Sequence, residues 1–282
     1  MLLPKEKETI MDFELLKKKI TDYLLECPYN YVPEEDALRP ELAGMQIYDA
    51  PLFGVADVND PLFGELTKEG VVGECFDLPH KWIDNPVSVL SFFLPFTEAV
   101  RVSNRKGTVP SDEWLHGRVE GQQMMNKLGE YVKQLLIDEG FDTAFPTTDP
   151  RFHYVTRYCS NWSERHVAYI AGLGTLSLSK GIITEKGMAG RLGSVITTAK
   201  LPVTARKYSS PFEYCIMCGA CQRQCPMNAI DTSKGVEKGK NHEICSPYVS
   251  VKYPGKAPNN IERYGCGKCQ VGVPCENGIP KK

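Results

Sequence analysis

The chain alternates short apolar runs with longer stretches of helical periodicity. Over residues 8–26, Phe13, Leu16, Ile20, Tyr23 and Leu24 recur at helical intervals, which predicts an amphipathic helix stopped by Pro28. A polar, proline-containing stretch follows to about residue 50. Residues 52–58 are a short apolar run, read as a strand, and residues 87–95 are a stronger one. The second run does not alternate, so it predicts a strand buried on both faces. Residues 97–110, rich in polar residues with glycine and proline, read as a loop.

A long helix is predicted from Ser111, as its N-cap, to Glu139, with Met124, Leu128, Tyr131, Val132 and Leu135 at helical spacing. Gly140 stops it. Residues 141–145 read as a strand ended by Pro146, and Ser163 as the cap of a helix running through Tyr169 to Gly172. Residues 172–181 form a glycine- and serine-rich turn region, and 182–184 and 194–197 read as strands. Strands interleaved with helices predict a mixed α/β (α+β) layered domain.

Composition adds bounds. With 282 residues the chain suits two domains, or one with an appended module. It is 42% hydrophobic and 24% charged, an ordinary globular balance. A formal net charge of −2 supplies no global basic field for nucleic acid. The N-terminus lacks the apolar core of a secretory signal and a twin-arginine pair, and no run approaches the length of a membrane span. A cytoplasmic, reducing setting is expected, since most of the eleven cysteines stand in ligand spacing rather than in a disulfide scaffold.

Those cysteines carry the strongest chemical signal. Cys215, Cys218, Cys221 and Cys225, followed by Pro226, form the run C-x2-C-x2-C-x3-C-P of bacterial ferredoxins. A looser set follows: Cys245, Cys266, Cys269 and Cys275. Three cysteines on a tight loop reach three irons of one cubane, while the fourth of the run serves the other cluster. The expected sets are therefore Cys215, Cys218, Cys221 and Cys275 for cluster one, and Cys225, Cys245, Cys266 and Cys269 for cluster two. Pro226 suits a helix start, and Gly219 and Gly267 let backbone approach a cluster. A pair of zinc sites is the bland alternative, but zinc modules rarely add a third cysteine two residues on and a closing C-P. Cys27, Cys75 and Cys159 are scattered and read as packed thiols.

Three features stand together: residues 164–174, which open with Glu164, Arg165 and His166 and close on Gly172 and Gly174; residues 193–197; and the two cysteine sets. In order and separation this constellation resembles the epoxyqueuosine reductases and their relatives, the corrinoid-dependent reductive dehalogenases, over roughly residues 45–282. The resemblance implies a nitroreductase-like, cobalamin-binding domain (45–205) and a ferredoxin-like domain with two [4Fe-4S] clusters (206–282), and residues 1–44 are an extra N-terminal helical extension outside it. It gives Gly172, Gly174, Ser177 and Ser194 a cofactor-lining role, although composition alone reads 172–174 as a helix-ending turn. A flavin would suit a nitroreductase-like domain as well.

The departures from the family also matter. The second set ends with two extra residues before Cys275. Where epoxyqueuosine reductases place an aspartate before the glutamate matched to Glu164, an ungapped count puts Tyr158. Reductive dehalogenases use a tyrosine as proton donor in this general role, so Tyr158 is the candidate general acid, with Lys180, Arg191 or Arg157 as cationic partner. The plainer role is a packed aromatic. Cys159, its neighbour, could approach the same site. His153 and His166 suit an axial ligand or relay, against a plain role for 164–166 as a salt-bridged helix face. The sequence ends soon after Cys275, without the RNA-contacting region of the tRNA-acting enzymes, so tRNA is an unexpected partner. Expected partners are an electron donor such as ferredoxin or flavodoxin and a small-molecule substrate. Two readings compete with a corrinoid-dependent reductase: an electron carrier or reductive activator of another corrinoid protein, and a binding protein braced by its clusters.

Overall fold

The computed structural model describes residues 12–253 and 258–281. Helix α1 (Phe13–Glu26) begins at Asp12, whose carboxylate accepts the Leu15 N–H at 3.0 Å, and buries Leu16, Ile20 and Leu24. Residues 8–11 of the expected helix lie outside the described residues. Strands β1 (Leu52–Asp57) and β2 (Ser88–Pro95) flank the short helix α2 (Pro61–Leu66). β2 is buried at every position, as its unbroken apolar run requires of a strand covered on both faces.

Residues 97–110 are not all loop: α3 (Glu98–Ser103) lies there and buries Val100. Its register is held from afar, because Arg101 and Arg105 reach Glu276. Helix α4 (Asp112–Asp138) has Ser111 as its N-cap, with the hydroxyl accepting the Trp114 N–H at 3.2 Å. Gly140, at φ +90°, takes the left-handed turn beyond it. The strand expected over 141–145 shrinks to β3 (Thr143–Ala144) between that turn and Pro146. A hairpin follows, β4 (Tyr154–Thr156) with β5 (Cys159–Ser160), and then α5 (Glu164–Ile170). Part of the 172–181 turn region is strand: β6 (Gly174–Leu176) pairs with β7 (Ile182–Thr184). β8 (Gly190–Thr197) is longer than its apolar run, because β2 pairs with it along its whole length.

The main sheet has the order β1-β2-β8-β3, antiparallel throughout. It is a mixed helix-and-sheet fold of the α+β kind. One core gathers Leu16 and Ile20 of α1, Phe92 of β2, Met124 and Leu128 of α4, Val195 of β8 and Val271 near the C-terminus. The three segments expected from sequence thus share a core.

The cysteine-bearing region adds α6 (Ala220–Arg223), α7 (Gly235–Lys238) and α8 (His242–Val249). Pro226 does not start a helix. The chain turns there, with the Asn228 N–H on the Cys225 carbonyl and Asn228 at φ +50°. Lys240 Nζ binds the Ser179 carbonyl and the Leu176 N–H the Pro211 carbonyl, tying the region to the β6–β7 turn. Among the described residues no helix is long and apolar enough to cross a membrane.

Candidate redox site

Cys215, Cys218, Cys221 and Cys275 line one open cavity, together with Ser177, Leu178 and Val273. Cys218 is exposed and the other three are half-buried. Gly219, at φ +70°, makes the turn after Cys218 that leads into α6. The last cysteine is seated by its neighbours. Its carbonyl accepts the Met188 N–H at 3.0 Å, and the buried Glu276 carboxylate meets Arg105 at 2.8 Å and Arg101 at 3.3 Å. The same carboxylate accepts the Gly272 N–H at 2.7 Å, closing the loop that holds the two extra residues.

Cys225, Cys245, Cys266 and Cys269 are the set expected for the second cluster. The charges acting on the Cys266 thiol come from Cys269, Cys245 and Cys225. Cys245 rides on α8, while Cys266 and Cys269 flank Gly267 at φ +66°, where a β-carbon would strike Trp114. The buried Lys268 ammonium binds the carbonyls of Asn104 and Lys106, and Asn104 Nδ2 donates to the Cys266 carbonyl at 2.9 Å. Burial pushes the thiols of Cys221 and Cys275 up to about 12 and that of Cys266 to about 11. They hold their protons until a metal displaces them. Helix α6, which carries Cys221, packs against residues Lys268–Gln270, which carry Cys269.

Arg165 is exposed, yet the atoms around it desolvate the guanidinium and lower its pKa. Cys269, Tyr154 and Cys245 act on it. Glu164, beside it, accepts from Ser194 Oγ at 2.6 Å and from Thr147 Oγ1 at 2.9 Å, and Trp162 Nε1 donates to Ser194 Oγ at 3.0 Å. Burial pushes the Glu164 carboxyl up to about 7 against these hydrogen bonds. His166 turns elsewhere, to Ser163 Oγ at 2.7 Å, and burial holds its pKa down at about 4. Residues 164–166 are therefore not a salt-bridged face, because each side chain has a different neutral partner or none. Ser163 spends its hydroxyl on His166 rather than on capping.

The other residues expected from sequence separate. Gly172, at φ +84°, ends α5, and a β-carbon on it would meet Thr204. A β-carbon on Gly174 would lie 2.0 Å from the Ile183 carbonyl oxygen, so that glycine permits the close β6–β7 pairing. Ser177 borders the first cysteine group and bonds Ser179. Ser194 is buried and bonds Glu164, the neighbour of Arg165. Tyr158 lies at the β4–β5 tip, half-exposed, with Arg157 6.0 Å above its ring and His242 alongside. Lys180 is not its partner, since its ammonium binds the carbonyls of Val236 and Glu237, and Arg191 pairs with Gln122. His153 is exposed and bonds the Arg151 carbonyl. Cys75 and Cys159 are joined as a disulfide across 84 residues, so neither is the packed thiol expected.

Comparison with known proteins places these features. The 4Fe-4S binding domain family matches residues 211–231. No curated protein matches the sequence. Among solved structures, the chain is similar to epoxyqueuosine reductase from Bacillus subtilis, seen with its catalytic loop swung out of the active site. Identity is 17% over 95% of this chain and 67% of that one, with a TM-score of 0.53. An epoxyqueuosine reductase with a tRNA stem loop matches at 16% identity over 95% and 67%, with a TM-score of 0.52. A catabolic reductive dehalogenase matches at 14% over 81% of this chain and 30% of its own, with a TM-score of 0.51. The chain thus spans about two thirds of those reductases and less than a third of the dehalogenase. It has the fold these reductases share.

Proposed function

We propose that this chain is an iron–sulfur oxidoreductase that holds two [4Fe-4S] clusters and a corrinoid, and reduces a small substrate beside Arg165 and Glu164. The observation that carries the reading is the gathering of Cys215, Cys218, Cys221 and Cys275 around one open cavity, with Cys218 exposed at its surface. On this reading residues 45–205 are a nitroreductase-like cofactor domain and 206–282 a ferredoxin-like one.

The residues fit both groups. Cys215, Cys218, Cys221 and Cys275 would hold the first cluster, and Cys225, Cys245, Cys266 and Cys269 the second. Four thiol donors per group suit iron–sulfur chemistry, and the clusters would supply one-electron transfer. Arg165 and Glu164 would offer a cation and a carboxyl group to a large polar cofactor, and a corrinoid there would supply the metal-centred reduction that side chains cannot perform. The chain's own part is positioning and protons. Exposed Cys218 marks the face where an electron donor such as ferredoxin or flavodoxin docks. Glu164 stores a proton near neutral pH, and Tyr158 offers a phenol from a hairpin tip. A flavin is the substitute to test in the same place, and an RNA stem loop belongs in the substrate screen.

The test is anaerobic reconstitution with iron and sulfide, followed by cobalamin titration read by absorbance and EPR. Two clusters and a protein-bound cobalt signal support the proposal. Two clusters without corrinoid uptake leave an electron carrier, and failure to load two clusters overturns the reading.

A further inference from the structure

Residues 104–108 join α3 to α4 and have the polar, glycine-containing composition of a surface loop. Asn104 is nonetheless fully buried, and both polar atoms of its amide are used. Its Oδ1 accepts the Ser111 N–H at 3.1 Å, and its Nδ2 donates to the Cys266 carbonyl at 2.9 Å. The turn that holds Cys266 returns the contact. The buried Lys268 ammonium donates to the carbonyls of Asn104 at 2.9 Å and of Lys106 at 2.7 Å. Three hydrogen bonds thus fasten the turn from Cys266 to Cys269 onto this loop.

The same loop reaches the other cysteine-bearing segments. Arg105 holds Glu276, the neighbour of Cys275, by a two-pronged contact: Nε on Oε2 at 3.0 Å and a terminal nitrogen on Oε1 at 2.8 Å. The Thr108 carbonyl accepts the Tyr248 hydroxyl at 2.5 Å, from α8, which carries Cys245 one turn earlier. A β-carbon on Gly272 would meet both Arg105 and Gln224, the residue before Cys225. One short loop therefore touches segments of both expected ligand sets. Its ends are anchored, because Val100 of α3 and Trp114 of α4 both lie in the main core. Second-layer hydrogen bonds from rigid elements are what hold a functional constellation to a precise geometry. The contacts fall at the cysteines or within three residues of them, so what they fix is the position of the ligands.

We propose that residues 104–108 are a bracket that fixes the two cysteine sets against each other, with Asn104 and Arg105 as positioning residues for electron exchange between the clusters. The inference rests on the proposed function for the presence of those clusters. The exchange moves one electron, supplied by a donor such as ferredoxin or flavodoxin. It oxidises the first cluster and reduces the second, with no proton or further reactant.

The experiment compares reconstituted wild type with Asn104→Ala and Arg105→Gln. Iron and sulfide analysis establishes two clusters per chain, and EPR of the fully reduced protein then reads their magnetic interaction. Wild type is expected to give the broadened, spin-coupled signal of two neighbouring clusters rather than the sum of two isolated ones. Both variants should load two clusters and lose that coupled signal. Arg105→Lys, which keeps the charge at Glu276, should recover it. A loop that merely stabilises the fold would lower the melting temperature of the variants and leave the coupled signal intact, and that result overturns the proposal. A wild-type signal that is the plain sum of two isolated clusters overturns it as well, while leaving the proposed function standing. Wild type that binds fewer than two clusters removes the proposed function and this inference with it. Should Asn104→Ala fail to load clusters, Tyr248→Phe, which takes one hydroxyl from the same loop, is judged by the same spectrum.

Discussion

Ser194 donates its hydroxyl to Glu164 across 2.6 Å, joining the middle of β8 to the first turn of α5. That contact and the one from Thr147 favour the ionised carboxylate, yet burial outweighs them and the carboxyl titrates at about 7, up from 4.5. Because the folded-state value is raised, the proton stabilises the fold fully below about pH 4.5. This contribution is lost as pH rises through 7. Glu164→Gln is expected to flatten that loss, by on the order of 3 kcal/mol at most. Chemical denaturation of both proteins between pH 4 and 8 measures it, and parallel pH profiles would show that Glu164 is not the group.

Glu276 holds the segment that carries Cys275, through Arg101 and Arg105. Replacing it with alanine strands the mostly buried Arg101 and should destabilise the protein by about 3–5 kcal/mol. Iron content should fall by about half, from two clusters toward one. Iron and sulfide analysis after reconstitution reads this directly.

Gly267 combines φ +66° with a β-carbon position 1.9 Å from Trp114. Gly267→Ala is expected to displace Cys266 and Cys269 together, with backbone strain alone costing roughly 1–3 kcal/mol. The EPR signal of one reduced cluster should disappear while the other persists. Loading equal to wild type would contradict this.

Tyr158 stands at a hairpin tip between Arg157 and His242. If it is the proton donor, Tyr158→Phe lowers substrate turnover by about a hundredfold or more, with substrate affinity little changed. Undiminished turnover would remove Tyr158 from the chemistry and leave Glu164 as the acid to test.

The Cys75–Cys159 disulfide ties the segment before β2 to the strand following Tyr158. Under oxidising conditions, cluster-free denatured protein should show nine alkylatable thiols of the eleven cysteines. Strong reductant should expose all eleven. Cys75→Ser should lower stability by roughly 4 kcal/mol in oxidised samples and hardly at all in reduced ones.

Much of this molecule was legible from local pattern. The cap at Ser111, the helical spacing through Leu135, the stop at Gly140 and the unbroken apolar run of β2 each express a rule that operates within a few residues. The ferredoxin-type spacing from Cys215 to Cys225 is of the same kind, and so is the superfamily resemblance, which rests on short motifs. What the tertiary structure alone decided involves partners distant in sequence. Helix α3 in the supposed loop depends on Glu276, more than 170 residues away. The setting of Glu164 needs Ser194, and the Arg191–Gln122 contact needs α4 and β8 side by side. The Cys75–Cys159 link needs the β4–β5 hairpin folded against the segment before β2. Local sequence sets dihedral preference and hydrophobic period. Charge balance, desolvation and thiol pairing depend on which segments the sheet register and the common core bring together.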